Sequence, residues 1–300
     1  MENKVRILSI DGGGIRGIIP ATVLQYVEEK LIKLSGNEDA RLADFFDLIV
    51  GTSTGGILTC FYLTPNPSLK NREKNAENNI PVSKYPAAKA LEFYVEKGNE
   101  IFTKSRNESW LGIRQLFNAT KYRENNIEAI FNEEFSDLKM SELLKPCMIT
   151  SYNMVNQSAV FFKSRNRKSN LEYRVKDVVR STSAAPTGGG RLKLPELKKS
   201  GKWGVINWAH SAPEIMMDGA ADTVDYQLKA IFGTLDENNK KHYKRVNVPF
   251  DKRKYSYDMS DASDKNITEL KKAGEEALED ARKNRKDELN LDEFIKLLIE

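Results

Sequence analysis

The stretch FDLIVGTSTGG, Phe46 to Gly56, runs an apolar strand straight into a serine flanked by glycines. A strand ending in G-x-S-x-G, here Gly51 to Gly55, is the pattern that sets a hydroxyl nucleophile on a sharp strand-to-helix turn. Such a turn crowds the backbone, so Gly51 and Gly55 relieve collisions on either side of Ser53, with Thr52 and Thr54 completing the elbow. Ile57, Leu58 and Phe61 then read as a helix whose first N–H groups aim at developing negative charge. Five-residue patterns with three fixed positions also arise by chance, and a glycine-rich turn capped by Ser or Thr is the plainer account of this one.

A second glycine cluster supports the sharper account. Lys4 to Asp11 alternates into a short β-branched strand with Val5, Ile7, Leu8 and Ile10. It breaks at DGGGIRG (11–17) before an amphipathic helix carrying Ile18, Ile19, Val23, Leu24, Val27 and Leu31. Consecutive glycines between a strand and a helix leave bare N–H groups that converge on one oxygen, which is how an oxyanion hole or a phosphate cradle is built. Gly12, Gly14 and Gly17 also satisfy the dinucleotide-binding spacing G-x-G-x-x-G, so a nucleotide-dependent enzyme is a rival. That rival calls for an acidic residue about 20 positions further on, at the end of the second strand. Here the second strand closes with Gly51, Thr52 and Ser53, and no Gly-Lys-Ser/Thr follows the glycines as a phosphate-binding loop requires.

Three blocks, DGGGIRGIIP (11–20), FDLIVGTSTGG (46–56) and VVRSTSAAPT (178–187), together resemble the patatin-like phospholipases in order and spacing. The likeness covers roughly residues 4–250 and is densest in 4–63 and 174–187. It implies an α/β fold, a three-layer sandwich whose mainly parallel central sheet is flanked by helices. It also implies an acyl hydrolase with a Ser–Asp dyad and no histidine. By that resemblance Ser53 attacks an ester carbonyl and the Gly12, Gly13 and Gly14 loop binds the oxyanion. Arg16 is placed to steady that loop or to meet a phosphate. The substrates implied are phospholipids or other acyl lipids, and the mechanism calls for no metal or cofactor.

A serine hydroxyl needs a proton acceptor to become nucleophilic at neutral pH, and histidine is the commonest one. Of the two histidines, His210 lies in NWAHSAP and His242 in the charged stretch NNKKHYK, neither a context that marks a base. A carboxylate is therefore favoured. Asp218, in Asp218-Gly219-Ala220, is the candidate the resemblance offers. Against it, the family pattern follows its Asp-Gly-Gly with a turn, whereas Ala221 to Lys229 reads as a helix that would make Asp218 a helix-start or surface acid. Thr187-Gly188-Gly189-Gly190 abuts the third block as though a base-bearing segment between Pro186 and Gly188 were absent. A catalytically impaired lipid- or partner-binding protein on the same scaffold is the resulting alternative.

Three hundred residues at 40% hydrophobic suffice for one large α/β core with a helical appendage. The expected division is an acyl hydrolase domain over 1–250 and a helical extension over 251–300. The expected location is the cytoplasm, with peripheral contact at membranes. No apolar run approaches the roughly 18–20 residues of a membrane span, and the N-terminus does not read as a secretory signal. Cys60 and Cys147 sit among apolar neighbours and read as packed thiols, without disulfide or metal spacing. A net charge of +4 is mild, with short basic clusters at Lys163–Lys168 and Lys240–Arg245 that meet anionic headgroups or simply stay solvated. Nucleic-acid binding is rejected for want of a basic face interleaved with aromatics. Oligomeric state is not readable.

Further along, Thr64 to Pro86 reads as an exposed excursion. Helices are expected over 87–104 and 124–136, a strand pair over 148–153 and 158–163, and a late edge strand over Tyr243–Phe250. Trp110, Leu111 and Phe117 read as packed in the core or as a lipid-facing lip. Two amphipathic helices close the chain, one carrying Leu270, Ala273 and Ala277, the other Leu291, Phe294 and Ile295.

Overall fold

The structure, a computed structural model, describes residues 4–66, 82–102, 124–153, 156–165, 172–183, 221–235, 240–248, 254–256, 258–284 and 289–300. The chain divides into two compact units. One comprises Met1–Thr103, Asn125–Ala184 and Val246–Glu300, the other Lys104–Glu124 and Ala185–Arg245.

The first unit is built on a four-stranded sheet in the order β1 (Ile7–Ile10), β2 (Leu48–Thr52), β3 (Cys147–Asn153), β4 (Ser158–Lys163). β1, β2 and β3 run parallel, and β4 returns antiparallel along β3, so the sheet is mainly parallel as expected. The pairing sets Ile10 beside Gly51 and Gly51 beside Ile149. Because side chains alternate along a strand, Ile10, Ile49, Cys147 and Ile149 all point to one buried face. α3 (Thr54–Leu63) lies on that face with α6 (Val175–Ser183) beside it. All ten residues of α3 are buried, which explains its lack of any polar stripe.

α1 (Ile18–Ser35) packs against the short α2 (Leu42–Phe45), α4 (Ala87–Phe102), α8 (Asp264–Ala281) and α9 (Leu291–Lys296). Its inward stripe of Ala21, Leu24, Val27 and Leu31 is interrupted by Glu28, which is 4% exposed. The Glu28 carboxylate accepts the Leu42 N–H at 2.9 Å and the Ala87 N–H at 2.6 Å. One buried acid therefore satisfies orphan donors at the starts of both α2 and α4. Burial pushes its carboxyl above the usual range, against the lowering effect of those two donors. Between α3, α4 and α5 (Glu124–Phe135), Phe61 packs at tilted or edge-on angles against Tyr85, Phe93 and Phe135 at ring-centre distances of 5.0, 4.6 and 5.3 Å. Each such side chain, fully buried, contributes on the order of 1.5–3 kcal/mol.

α4 and α5 stand within two residues of the spans expected from periodicity. The expected strand pair is β3 and β4, and the closing amphipathic helices are α8 and α9. The expected exposed excursion over 64–86 needs correction at its ends. There the chain is tied by Asn66 N–H to Val82 O at 3.0 Å and Lys84 N–H to Thr64 O at 2.8 Å, with Thr64, Ser83 and Tyr85 buried. Residues 67–81 lie outside the described residues, as do Trp110, Leu111 and Phe117. Cys60 and Cys147 are buried free thiols, and burial pushes Cys147 up to about 11.

In the second unit, the helix expected from Ala221 is present as α7, residues 221–233. Among the described residues the late edge strand is not found: 240–242 form a short helical turn and 243–248, which run on into the first unit, join no ladder, while 249 and 250 lie outside the described residues. Tyr243 instead stacks its ring on Phe232 at 5.6 Å and donates its hydroxyl to the Asp225 carboxylate at 2.9 Å. The side chain is used against a helix, and the backbone alternation that suggested a strand is incidental. Of the basic clusters, Arg165 is spent internally, donating to the Ser141 and Leu143 carbonyls at 2.8 and 3.0 Å.

Candidate active site

Parallel pairing of β1 with β2 brings the two turns that follow them to one edge of the sheet. Ser53 occupies the junction between β2 and α3 with φ 54° and ψ −121°. That conformation is sparsely populated for a residue with a Cβ and costs on the order of 1–3 kcal/mol, so the surroundings must impose it. They do so through close packing. A Cβ on Gly51 would stand 2.2 Å from the Gly55 carbonyl oxygen, and one on Gly55 would stand 2.1 Å from the Ile10 carbonyl oxygen. The start of α3 is thus pressed onto the ends of both strands. Only glycine allows it.

Hydrogen bonds finish the elbow. The Ser53 N–H donates to the Thr182 hydroxyl at 2.8 Å, and that hydroxyl donates to the Thr150 carbonyl at 2.6 Å. Thr182 on α6 therefore ties the serine turn to β3. The Ser53 carbonyl accepts the Ile57 N–H at 3.1 Å, opening α3. Thr52 is exposed and shares a 2.7 Å hydroxyl contact with Thr150 across the ladder. Thr54 is buried, its hydroxyl bonded to that of Tyr94, which in turn donates to the Thr54 carbonyl at 3.2 Å.

The glycine loop meets the elbow directly. A Cβ on Gly17 would lie 2.3 Å from the Thr54 hydroxyl oxygen, and the one on Gly55 would also crowd the Asp11 carbonyl at 2.7 Å. Both ends of the 11–17 loop accordingly touch residues adjoining Ser53. Within the loop, Gly14 to Gly17 form a short helical turn leading into α1. The Arg16 N–H bonds the Gly13 carbonyl at 3.2 Å and its side-chain Nε approaches the same oxygen at 3.4 Å. Arg16 is half-buried against its own loop. The start of α3 carries no acidic side chain in its first turn, so the positive end of the helix is not offset from within that turn.

Of the residues read as functional, Gly12, Gly13, Gly14, Arg16, Gly51, Thr52, Ser53, Thr54 and Gly55 are gathered at this edge. Asp218 and His210 lie outside the described residues. Among the described residues no group of three or more His, Cys, Asp or Glu side chains could hold a metal ion, and no helix is long and apolar enough to cross a membrane. Thr182 was not singled out by the sequence. Its only signal was membership in the third motif block, with nothing to say that its hydroxyl grips the Ser53 amide.

The family model described as patatin-like phospholipase matches residues 8–224. Among curated proteins, Patatin-1-Kuras 2 and Patatin-01 of Solanum tuberosum are each 39% identical over 189 residues. Patatin group A-3 of the same organism is 38% identical over 189 residues. Each alignment covers 62% of this chain and 44–45% of the relative, so the chain spans about half the length of the curated relatives it matches.

Proposed function

We propose that this chain, which belongs to the patatin-like phospholipase family, is a lipid acyl hydrolase that cleaves fatty acyl esters of phospholipids or related lipids through Ser53. The observation that carries this reading is the strained Ser53 backbone, φ 54° and ψ −121°, held at the start of α3 against the glycine loop. Strain retained at a glycine-packed turn is spent on presenting a hydroxyl, since a structural cap would adopt a relaxed conformation.

In the proposed reaction a base takes the proton from Ser53 Oγ as that oxygen bonds to the ester carbonyl carbon. Negative charge then gathers on the former carbonyl oxygen, where the amides of Gly12, Gly13 and Gly14 and the positive end of α3 stabilise it. Collapse breaks the bond to the alcohol, which leaves with the proton from the base. Water, deprotonated by the same base, releases the fatty acid and restores Ser53. The Arg16 side chain, lying on the Gly13 carbonyl, steadies the loop. Asp218 is the proposed base. No step calls for a metal or cofactor.

A second reading, an impaired hydrolase that binds lipid or a partner without turning it over, draws support from α7. Residues 221–233 are helical, closely following Asp218 in the sequence, where the family pattern sets a turn. The test is release of p-nitrophenol from medium-chain esters by wild type, Ser53→Ala and Asp218→Asn. The dyad predicts activity in wild type and losses of about 10³-fold or more in both variants. Activity lost only at Ser53 moves the base elsewhere, and an inert wild type favours the second reading.

A further inference from the structure

The C-terminal segment reaches the glycine loop. The Ile15 N–H donates to the Met259 carbonyl at 2.9 Å. Gly14, at φ 60°, packs so tightly on the same peptide that a Cβ would stand 2.4 Å from the Met259 oxygen and 2.9 Å from its Cβ. The Ile15 side chain is fully buried, its Cδ1 lying 2.8 Å from where a Cβ on Gly98 would be. Ala262 and Ile267 approach that same point at 3.9 Å. A loop at one end of the sheet is thus seated on residues about 245 positions later, well past the last residue, 224, of the family match.

The turn that carries Met259 is itself knotted. Asp258 accepts from both the amide and the hydroxyl of Ser260, the amide at 3.0 Å, and the Asp261 N–H bonds the Asp258 carbonyl at 2.9 Å. Asp261 accepts the Ser263 N–H at 3.1 Å. Asn266, 5% exposed in the first turn of α8, closes the knot. Its amide group donates to the Asp261 carbonyl at 2.6 Å while its oxygen accepts the Ser256 N–H at 2.8 Å. α8 is then fixed to α1, with Gly274 against Thr22. Short Asp and Ser side chains bonding nearby backbone lock a turn, and Asn266 anchors this one to the start of α8.

We propose that the 256–266 knot is a positioning element for the oxyanion loop, with the Met259 carbonyl holding the Ile15 amide and Asn266 holding Met259 in place, a role that rests on the hydrolase reading above. An oxyanion hole works only when its donors are fixed before charge develops. A glycine-rich loop has too many accessible conformations to fix itself. The knot supplies that order from outside the loop, so loosening it lowers the rate of the chemical step and leaves substrate binding nearly unchanged.

The test compares two full-length variants of the same C-terminal segment. Asn266→Ala opens the knot. Asp292→Ala loosens α9 from α1, where Asp292 accepts from the Tyr26 hydroxyl and pairs with Lys30 at 3.3 Å and Arg282 at 3.1 Å. On a p-nitrophenyl ester, Asn266→Ala is expected to lower kcat about tenfold to a hundredfold with KM within about twofold, and Asp292→Ala to leave kcat within about twofold. Amide exchange at Ile15 should speed up in the first variant only. Equal kcat in wild type and Asn266→Ala, or equal losses in both variants, would overturn the role. Should Asn266→Ala fail to fold, Met259→Gly, which loosens the same peptide and keeps the Asn266 hydrogen bonds, must show the kcat loss in smaller measure. A wild type without esterase activity sinks the hydrolase reading instead. In that case Ile15 exchange alone decides, unchanged protection in Asn266→Ala rejecting the knot's hold on the loop.

Discussion

The turn after β1 and the turn after β2 leave neighbouring strands at the same edge, but they are secured in opposite ways. The serine elbow is held by contacts from the sheet and helices directly around it: Gly51 and Gly55 against carbonyl oxygens, and the Ser53 amide on Thr182. The glycine loop has one flank on the elbow and the other on Met259, a residue from the far end of the chain. A strained conformation at one residue can be imposed by dense local packing, because each collision removes an alternative. A run of three glycines offers few side-chain contacts to grip, so its order has to come through backbone hydrogen bonds.

The sharpest way to break this contrast is Gly55→Ala. Its new Cβ would collide at 2.1 Å with the Ile10 carbonyl oxygen, a backbone atom where no flexible side chain can give way. We expect at least about 3 kcal/mol of destabilisation and loss of activity, measured by denaturant unfolding and esterase assay. A folded, active Gly55→Ala protein would show that the elbow does not depend on close packing.

Thr182→Val sharpens it at smaller cost. The variant keeps the shape of α6 and removes the acceptor of the part-buried Ser53 N–H, at about 1 kcal/mol. Unfolding should report that loss, and kcat should fall further than the same loss of stability would cause elsewhere. Thr182→Ser, which retains the hydroxyl, should restore most of both.

Glu28 provides the smallest and most distinctive effect, away from both turns. Its carboxyl is raised in the folded state, so it favours folding most when protonated, and that contribution is lost as pH rises through the raised value. Glu28→Gln cannot titrate. The stability of wild type relative to this variant should therefore be greatest at acid pH and shrink as pH rises past the ordinary carboxylate range. A difference that grows with pH would mean the two N–H donors outweigh burial.

Much of the architecture was readable in the sequence because it depends on near neighbours along the chain. Apolar periodicity bounded by glycine marked β1, α1, β2 and α3, and the helical stripes marked α4, α5, α8 and α9. The edge strand at 243–250 misled because Val246, Val248 and Phe250 alternate in the sequence as a strand would, while Tyr243 is recruited by Phe232 and Asp225 through its ring and hydroxyl. Glu28 was hidden for a related reason. An acid within an amphipathic helix reads as solvent-facing until the two helix starts that need its oxygens are in place. Met259 carried no signal at all, because it acts through its carbonyl, a group every residue has. The elements around Ser53 were legible; what grips them was not.

The central claim is that Ser53 is a hydroxyl made reactive by this strained turn and the glycine loop beside it. Treatment of the full-length protein with a fluorophosphonate probe, followed by mass spectrometry of its peptides, tests that claim without assuming a lipid or a base. The account predicts one adduct, on Ser53, lost in Ser53→Ala and slowed in Thr182→Val. A protein that stays folded and takes no adduct, or takes it at another serine, would contradict it.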